Sequence, residues 1–308
     1  MPVSRLSCVS ATILAFNPSF FRLIPALAIL FCAASLAQAK TWTTSAAGLQ
    51  NSINQARDGD TIQVTGGSTK SQIIVKKRLT IEGKGNHTLG GMMTVRAAGS
   101  VIRGLNFSNV NSGSRSSSIA VRDTNNVSIL NNNITGSHGM GIFVGKSQNI
   151  KVTGNKIRNV RCTKGSSSYT SAQGVKVGQS SKQVIVTNNS VEGLSGCRTI
   201  AAFYCDTGGT DGVFERNRVS KIGSASGDAI GVYIESRCHN WDVTDNIISD
   251  AQTGVRNGAP STGDPNNTLI EGNFITAKKV GVKIVRGKNV IVTNNDIKAP
   301  VEIQRVGR

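Results

Sequence analysis

Proline, aromatic residues and acidic residues are scarce in this sequence of 308 residues. It has 6 prolines, 5% aromatic residues, and 17 Asp and Glu against 35 Lys and Arg. The 34 glycines show no Gly-X-Y period, which excludes collagen, and the 38% apolar share excludes a disordered chain and one embedded throughout in a membrane. Glycine-marked turns between short strands are therefore expected.

The shortage of acids leaves a formal net charge of +18. An excess of this size indicates a polyanionic partner, because the summed field of many cations attracts and concentrates anions. The alternative is a basic surface that serves solubility alone, since net charge carries no information on fold.

Residues 1–39 have the pattern of an export signal. Arg5 and Arg22 precede an apolar run over 23–37, and the small-x-small cleavage pattern AQA follows at 37–39. The run is too short and wrongly flanked for a spanning helix. We expect a secreted or periplasmic protein that does not contact the membrane once the signal is removed.

Four cysteines remain beyond this signal. An even number in a chain sent to an oxidising compartment predicts disulfides. Zinc is the alternative, but there is no Cys-x-x-Cys pair and the three histidines do not cluster at ligand spacing. The four are Cys162, Cys197, Cys205 and Cys238.

A short motif recurs seven times: a β-branched or aromatic residue, two mostly polar residues, Asn, any residue, then Ile or Val. The copies lie at 129–134, 152–157, 186–191, 214–219, 243–248, 270–275 and 292–297. Their shared asparagines are Asn132, Asn155, Asn189, Asn217, Asn246, Asn273 and Asn295. Each copy follows a second short strand pattern, and no helical stretch separates them, so the period predicts one coil of a solenoid.

Short strands without intervening helices cannot form βαβ units, but they can stack on the same strand of the next coil as parallel sheets. The sequence therefore predicts an all-β parallel β-helix over 40–308 as one domain. The repeated Asn suits a corner, because it tolerates left-handed backbone angles and its amide can bond the Asn of the next coil. An amphipathic helix at 46–56, with Leu49, Ile53 and Ala56 on one face, is the predicted end cap.

The same repeat indicates which cysteines could be bridged, although it leaves the disulfide connectivity open. Cys162 lies seven residues after its Asn and Cys197 eight residues after the next one, so both fall on one turn of adjacent coils. Cys205 and Cys238 form the complementary pair one coil on.

The strand preceding each motif has an outward column. Its second and fourth positions are predicted to point inward and its third outward. The third positions are Ala120, Phe143, Lys176, Phe203, Tyr233, Arg256 and Lys283. A stripe of cations and rings suits an extended acidic sugar chain, with cations on carboxylates and rings on sugar faces. The alternative is a solvated face whose charges only block aggregation.

The predicted helix followed by DGDTIQV, then VIRGLNF and the NNI, GNKI and NNSV series, resembles the pectate-lyase-like superfamily of carbohydrate-acting proteins. The resemblance covers nearly all of 40–308 and implies a single-stranded right-handed parallel β-helix. It also implies a scaffold shared by lyases, hydrolases, epimerases and non-catalytic adhesins or tailspikes.

For a uronate polymer, β-elimination needs a base, an acid and a cation that neutralises the carboxylate. We assign Lys176 as base, Tyr233 as acid and Arg256 as clamp, with Lys176 activated by neighbouring cations. Lys146, Lys283 and Arg286 are predicted subsite cations, and Phe143, Phe203 and Tyr169 further substrate-binding residues.

No cofactor is predicted with certainty. The resemblance implies calcium as a candidate, because pectate-lyase-like enzymes often use it to hold uronates. Asp206 and Glu235, which end adjacent strands, are its candidate ligands, and each is equally suited to pair with a cation.

Other functions remain open. The same two carboxylates would suit a glycoside hydrolase, a retaining one if they lie about 5 Å apart, although the paired Asp-Asp of polygalacturonases is absent. A C5-epimerase is disfavoured by the absence of an Asp-Pro-His-Asp motif. A non-catalytic binder of acidic polysaccharide is the third class, and nucleic acid is disfavoured as a partner because aromatic residues are few.

Overall fold

Short parallel strands, wound into successive coils, build this protein. The computed structural model describes residues 38–111, 116–162, 171–223, 227–260 and 263–306. Ala39–Arg308 form one compact unit. The predicted export signal lies outside the described residues except for Gln38 and Ala39, so it stays a prediction.

The described residues contain 28 strands and one helix, α1 (Leu49–Gln55). The first strands are β1 (Thr41–Ser45), β2 (Thr61–Thr69), β3 (Ile73–Val75), β4 (Thr80–Gly83), β5 (His87–Leu89), β6 (Met93–Val95), β7 (Val101–Arg103), β8 (Asn106–Ser108) and β9 (Ser117–Arg122). The next are β10 (Ser128–Leu130), β11 (Asn133–Thr135), β12 (Met140–Gly145), β13 (Gln148–Thr153), β14 (Lys156–Arg158), β15 (Ser171–Gly178), β16 (Lys182–Thr187), β17 (Ser190–Glu192), β18 (Thr199–Cys205) and β19 (Thr210–Glu215). The last are β20 (Arg218–Ser220), β21 (Asp228–Ile234), β22 (His239–Thr244), β23 (Ile247–Asn257), β24 (Thr268–Glu271), β25 (Phe274–Ile284), β26 (Val290–Thr293), β27 (Asp296–Lys298) and β28 (Val301–Arg305).

Each full coil contributes to three parallel faces, one more than the two strands that the sequence pattern makes evident. Face 1 contains β1, the start of β2, and β4, β7, β10, β13, β16, β19, β22, β24 and β26. Face 2 contains the end of β2, then β5, β8, β11, β14, β17, β20, the starts of β23 and β25, and β27. Face 3 contains β3, β6, β9, β12, β15, β18, β21, the ends of β23 and β25, and β28. The parallel β-helix predicted from the repeat is confirmed.

The repeated asparagines form a continuous buried ladder at the corner between faces 1 and 2. The backbone N–H and the side-chain Nδ2 of Asn132 donate to Oδ1 of Asn155 at 3.0 and 2.9 Å, and Asn155 donates to Asn189 in the same way. The pattern continues through Asn217, Asn246, Asn273 and Asn295. Each amide from Asn132 to Asn273 therefore finds an acceptor in the next coil, as the sequence predicts, and Nδ2 of Asn295 donates to the carbonyls of Ile270 and Thr293.

The ladder asparagines do not themselves have the left-handed backbone angles that we expected of them. In every copy the positive φ belongs to the residue before the ladder Asn: Asn131, Gly154, Asn188, Arg216, Asp245, Gly272 and Asn294, with φ between 51 and 69°. The left-handed residue turns the chain, and the ladder residue points its amide inward. The left-handed backbone and the amide ladder, which we expected of a single residue, thus belong to two adjacent residues.

Helix α1 covers the first coil, as predicted for 46–56. Leu49 and Ile53 are buried, and Ala56 is 1% exposed just beyond the helix. Nζ of Lys77 donates to the carbonyls of Asn54 and Ala56, each at 2.6 Å, and so satisfies acceptors that the helix end leaves free.

Stacked aliphatic residues fill the interior, and aromatic rings join them in the middle coils. The rings of Phe203 and Phe214 lie 5.8 Å apart, and those of Phe214 and Trp241 lie 4.6 Å apart. Disulfides join Cys162 to Cys197 and Cys205 to Cys238, which confirms the expected disulfides and gives the connectivity that the repeat allows. Each bond links consecutive coils.

Replacing Asn132 with Ala tests the ladder. It leaves the buried N–H of Leu105 without its acceptor and removes the side-chain donor from the carbonyl of Ile102, and an unpaired buried group costs roughly 1–3 kcal/mol. We expect the free energy of unfolding in urea to fall by at least about 2 kcal/mol. The control is Asn133→Ala, an outward side chain that we expect to change it by less than about 0.5 kcal/mol. Equal losses in both variants would contradict the ladder's role.

Candidate functional site

One outward row crosses face 3. Strand pairing places Phe143 opposite Lys176, Lys176 opposite Tyr204, and Tyr204 opposite Tyr233. Arg256 and Lys283 continue the same register. We call these six residues the outer row; neighbours in it are separated by one strand spacing, about 4.8 Å.

Phe203 was wrongly assigned to this row. It pairs with Val175 and is fully buried, so its ring faces the interior and cannot touch a polysaccharide on the outside. Tyr204 takes the outward position instead. The glycine column explains the error: Gly174 marks the position before the inward Val175, but the next coil has Ala202 there, directly after Ala201, and two alanines hide the register.

The centre of the row is a stack of two rings between two cations. The rings of Tyr204 and Tyr233 lie 5.1 Å apart at an interplanar angle of 19°. Nζ of Lys176 lies 4.9 Å from the centroid of the Tyr204 ring, and Cζ of Arg256 lies 5.0 Å from that of Tyr233. Cations held over ring faces are attracted by the ring quadrupole, so each stabilises the neighbouring tyrosine.

Carboxylates accompany this stack. Nζ of Lys176 lies 2.8 Å from Oδ2 of Asp206, and Nη1 of Arg256 lies 2.6 Å from Oδ2 of Asp228. The environment predicted for Lys176 was therefore wrong, because a carboxylate contacts it directly where we expected neighbouring cations. A carboxylate neutralises a cation, so Lys176 and Arg256 are held as ion pairs.

The phenol of Tyr204 donates a hydrogen bond to Oε2 of Glu235. Burial raises the pKa of Tyr204 well above its ordinary value, and the charges of Asp206 and Glu235 raise it further. Burial likewise raises the pKa of Tyr233, which is only 4% exposed. Both phenols are therefore protonated at neutral pH.

The remaining predicted residues divide between the row and the turns. Lys283 is on the row, and Phe143 is on it but 4% exposed. Lys146 lies in the turn after β12, and Arg286 in the turn after β25, where its Nη1 is 3.9 Å from Oδ1 of Asp264. Tyr169 lies outside the described residues.

The predicted calcium ligands do not form a metal site. Within the described ranges there is no group of three or more His, Cys, Asp or Glu side chains that could hold an ion. Asp206 forms an ion pair with Lys176, and Glu235 accepts a hydrogen bond from the phenol of Tyr204. The donor set that a hard cation requires is not assembled at this place, so no step is derived through calcium.

A cavity of about 260 Å³ opens beside Lys176. Phe143, Gln173 and Asp206 are among the residues that line it. The outer row therefore runs from a recess at Phe143 across the tyrosine stack to Lys283.

Sequence comparison identifies the class. The family described as "Right handed beta helix region" matches residues 41–210 and 93–259. The chain belongs to this family, which confirms the resemblance seen in the repeat motifs. Comparison with curated proteins gives no match.

Two solved tailspike structures share the fold. A double mutant of the tailspike protein of E. coli bacteriophage HK620, in complex with a pentasaccharide, matches with a TM-score of 0.61 and 14% identity over 83% of this chain and 54% of the tailspike chain. Another mutant of the same tailspike gives 0.60 and 14% over 84% and 55%. The catalytic domain of a GH87 α-1,3-glucanase in complex with tetrasaccharides gives 0.49 and 15% over 89% and 69%. The chain thus spans about half the length of the tailspike chains.

In the described part of the chain no helix could span a membrane, and α1 is too short to cross a bilayer.

The raised pKa of Tyr204 predicts a stability change at alkaline pH. Above the ordinary value of 10.0 the unfolded chain loses this proton while the folded protein keeps it, so folding loses up to about 1.4 kcal/mol per pH unit. We expect the stability advantage of the wild type over Tyr204→Phe to be constant up to about pH 9 and to shrink above pH 10. Urea unfolding across this range measures it, and a difference that does not change with pH would contradict the burial of this phenol.

Proposed function

We propose that the protein is an exported enzyme that binds an acidic, uronate-containing polysaccharide along the outer row and cleaves it by β-elimination. The observation that carries this proposal is the pairing of each central cation with a carboxylate. Asp206 on Lys176 and Asp228 on Arg256 show that a carboxylate fits against both cations. A uronate carboxylate has the same chemistry and can take either position.

The net charge of +18 supports an anionic substrate, because the field of the whole protein concentrates polyanions at its surface. The rings of the stack add a second kind of contact, and flat rings pack against sugar faces. The tailspike that shares the fold binds a pentasaccharide, and this supports a polysaccharide as the partner here.

The chemistry follows from the positions. Arg256 neutralises the uronate carboxylate and so acidifies the neighbouring C–H. Lys176 takes that proton, a C=C bond forms, the C–O bond to the leaving sugar breaks, and a phenol protonates the leaving oxygen. Lys176 can act as base only when its own proton has passed to Asp206, the carboxylate at 2.8 Å.

Of the two tyrosines in the described ranges, Tyr204 lies nearer to Lys176. Tyr233, the acid assigned from the sequence, lies two strands from Lys176 and is 4% exposed, whereas Tyr204 is half-buried and lies one strand away. We therefore infer that Tyr204 protonates the leaving oxygen and that the ring of Tyr233, stacked on that of Tyr204, holds it in position. Both are protonated at neutral pH, as an acid requires.

Export is part of the proposal. The pattern of residues 1–39 supports it, and so do the two disulfides, which form and persist in oxidising compartments.

Hydrolysis is the second candidate. Asp206 and Glu235 directly follow the paired residues Cys205 and Ile234, so the two carboxylates start from neighbouring strands about 4.8 Å apart. A retaining glycosidase uses two carboxyl groups about 5–5.5 Å apart. This register is the observation that favours hydrolysis.

Incubation with alginate, pectate and glycosaminoglycans tests the proposal. We expect ultraviolet absorbance from unsaturated uronate ends to appear together with new reducing ends. Lys176→Ala and Asp206→Asn should each lower the rate by roughly 10²–10⁴-fold, since both groups are needed to move the proton.

The matched control is Lys151→Ala, an exposed lysine on face 1 that should leave the rate unchanged. Reducing ends without the absorbance, lost in Glu235→Gln, would establish hydrolysis instead. Binding without either signal would establish a non-catalytic binder, and full turnover in Lys176→Ala would overturn the assigned base.

A further inference from the structure

The cavity beside Lys176 has one apolar wall. Met140 and Phe143, 8% and 4% exposed, pack with the fully buried Ala120. Cζ of Arg122 lies 4.4 Å from the centroid of the Phe143 ring and closes one face of it. At about 260 Å³ the cavity is below the range of roughly 300–1,000 Å³ typical of drug-sized ligands, which suits a single sugar residue.

The second feature of this cavity is the amide of a buried glutamine. Gln173 lines it, pairs with Met140 across the strands and is 4% exposed. Its backbone N–H donates to the carbonyl of Gly139 at 2.8 Å. Among the residues that the structure describes, its side-chain amide makes no hydrogen bond, so the amide is available to a ligand that enters the cavity.

An amide offers a C=O acceptor and N–H donors together, and the group that complements both is another amide. Next to an apolar wall, the matching ligand is an amide that carries a methyl group, which is an acetamido substituent. Its N–H and C=O would pair with Gln173, and its methyl would contact Met140 and Phe143.

We propose that this cavity is a subsite for an N-acetylated hexosamine residue. The proposal rests on the proposed function, because the cavity adjoins Lys176 on the outer row. It names the substrate class: a polysaccharide that contains both uronate and N-acetylhexosamine, with the acetamido group at Gln173 and the uronate on the cations beyond.

The experiment compares polymers that differ only in the acetyl group. Binding of the full protein to hyaluronan, chondroitin and heparosan is measured by calorimetry, each beside its de-N-acetylated form, with alginate and pectate as uronates without hexosamine. We expect at least one N-acetylated polymer to bind at least about tenfold more tightly than its de-N-acetylated form, since the latter leaves Gln173 unpaired.

The variant Gln173→Met removes the amide and keeps the length of the side chain. We expect it to abolish the preference for the acetyl group, while discrimination that arises only from the new amine of the de-N-acetylated polymer would persist. The matched control is Gln148→Met, an exposed glutamine on β13 that bonds to Gln183 and should keep the full preference.

Equal binding of each N-acetylated and de-N-acetylated pair by the wild type would overturn the subsite, whether or not the variant folds. The full wild-type preference retained in Gln173→Met would overturn it too. Unsaturated ends from alginate and pectate as fast as from the mixed polymers would leave the proposed lyase standing without this subsite. An acetyl preference that depends on Gln173, without cleavage of any polymer, would leave the subsite standing without the lyase.

Discussion

The fold depends on the register between coils, and the buried amide ladder fixes that register. A parallel strand that slides along its neighbour by one residue turns its apolar face outward, but one that slides by two residues keeps it inward, so apolar packing excludes the first slip and not the second. The ladder removes this freedom, because each amide must meet the Oδ1 of the next coil. A slip would leave several buried polar groups unpaired at once, at roughly 1–3 kcal/mol each. Coil length is therefore free to vary in the turns, as the spacings of 34 and 22 residues show, while the strands stay aligned.

The alignment of the strands also determines which side chains meet on the outer surface of the sheet. Side chains that are about 30 residues apart in sequence meet at one strand spacing, so a row of outward residues acts as one surface. The tyrosine stack and its two cations exist because the register holds four consecutive strands in step. The carboxylates that pair with the cations come from different positions on their strands: Asp206 follows the end of β18, and Asp228 begins β21. Rings, cations and acids thus converge from separate strands onto one rigid sheet.

Sequence periodicity predicted most of the fold and only part of the site. The seven asparagines identified the coils and the cysteines that lie near one another, because both depend on spacing along the chain, and the amphipathic pattern of 46–56 identified the cap helix. Position within a strand depends on a finer signal. Glycine marks it in most coils, since a Cβ at Gly174 would meet Val191 and the carbonyl of Ala202. Where alanine replaces this glycine, the marker is lost, and the prediction placed Phe203 on the outer face in place of Tyr204. The contacts of Asp206, Glu235 and Asp228 were beyond sequence reasoning, because side-chain direction decides which cation or phenol each one reaches. The roles assigned to Lys176, Tyr233 and Arg256 stay predictions.

The ion pairs also explain how a protein so rich in cations can present a selective surface. An unpaired lysine at the centre of the row would bind any anion, and the large net charge would make such binding strong and unspecific. With Asp206 and Asp228 in place, an incoming carboxylate must displace an internal one. The exchange of one carboxylate for another adds little electrostatic free energy of binding at the centre of the row. Under the proposed function, net binding would then depend on what a simple anion lacks: sugar faces that pack against the half-buried ring, and substituents that reach the recess at Phe143. Long-range attraction by the whole surface would bring polyanions near, and the paired centre would select among them by shape and hydrogen bonding.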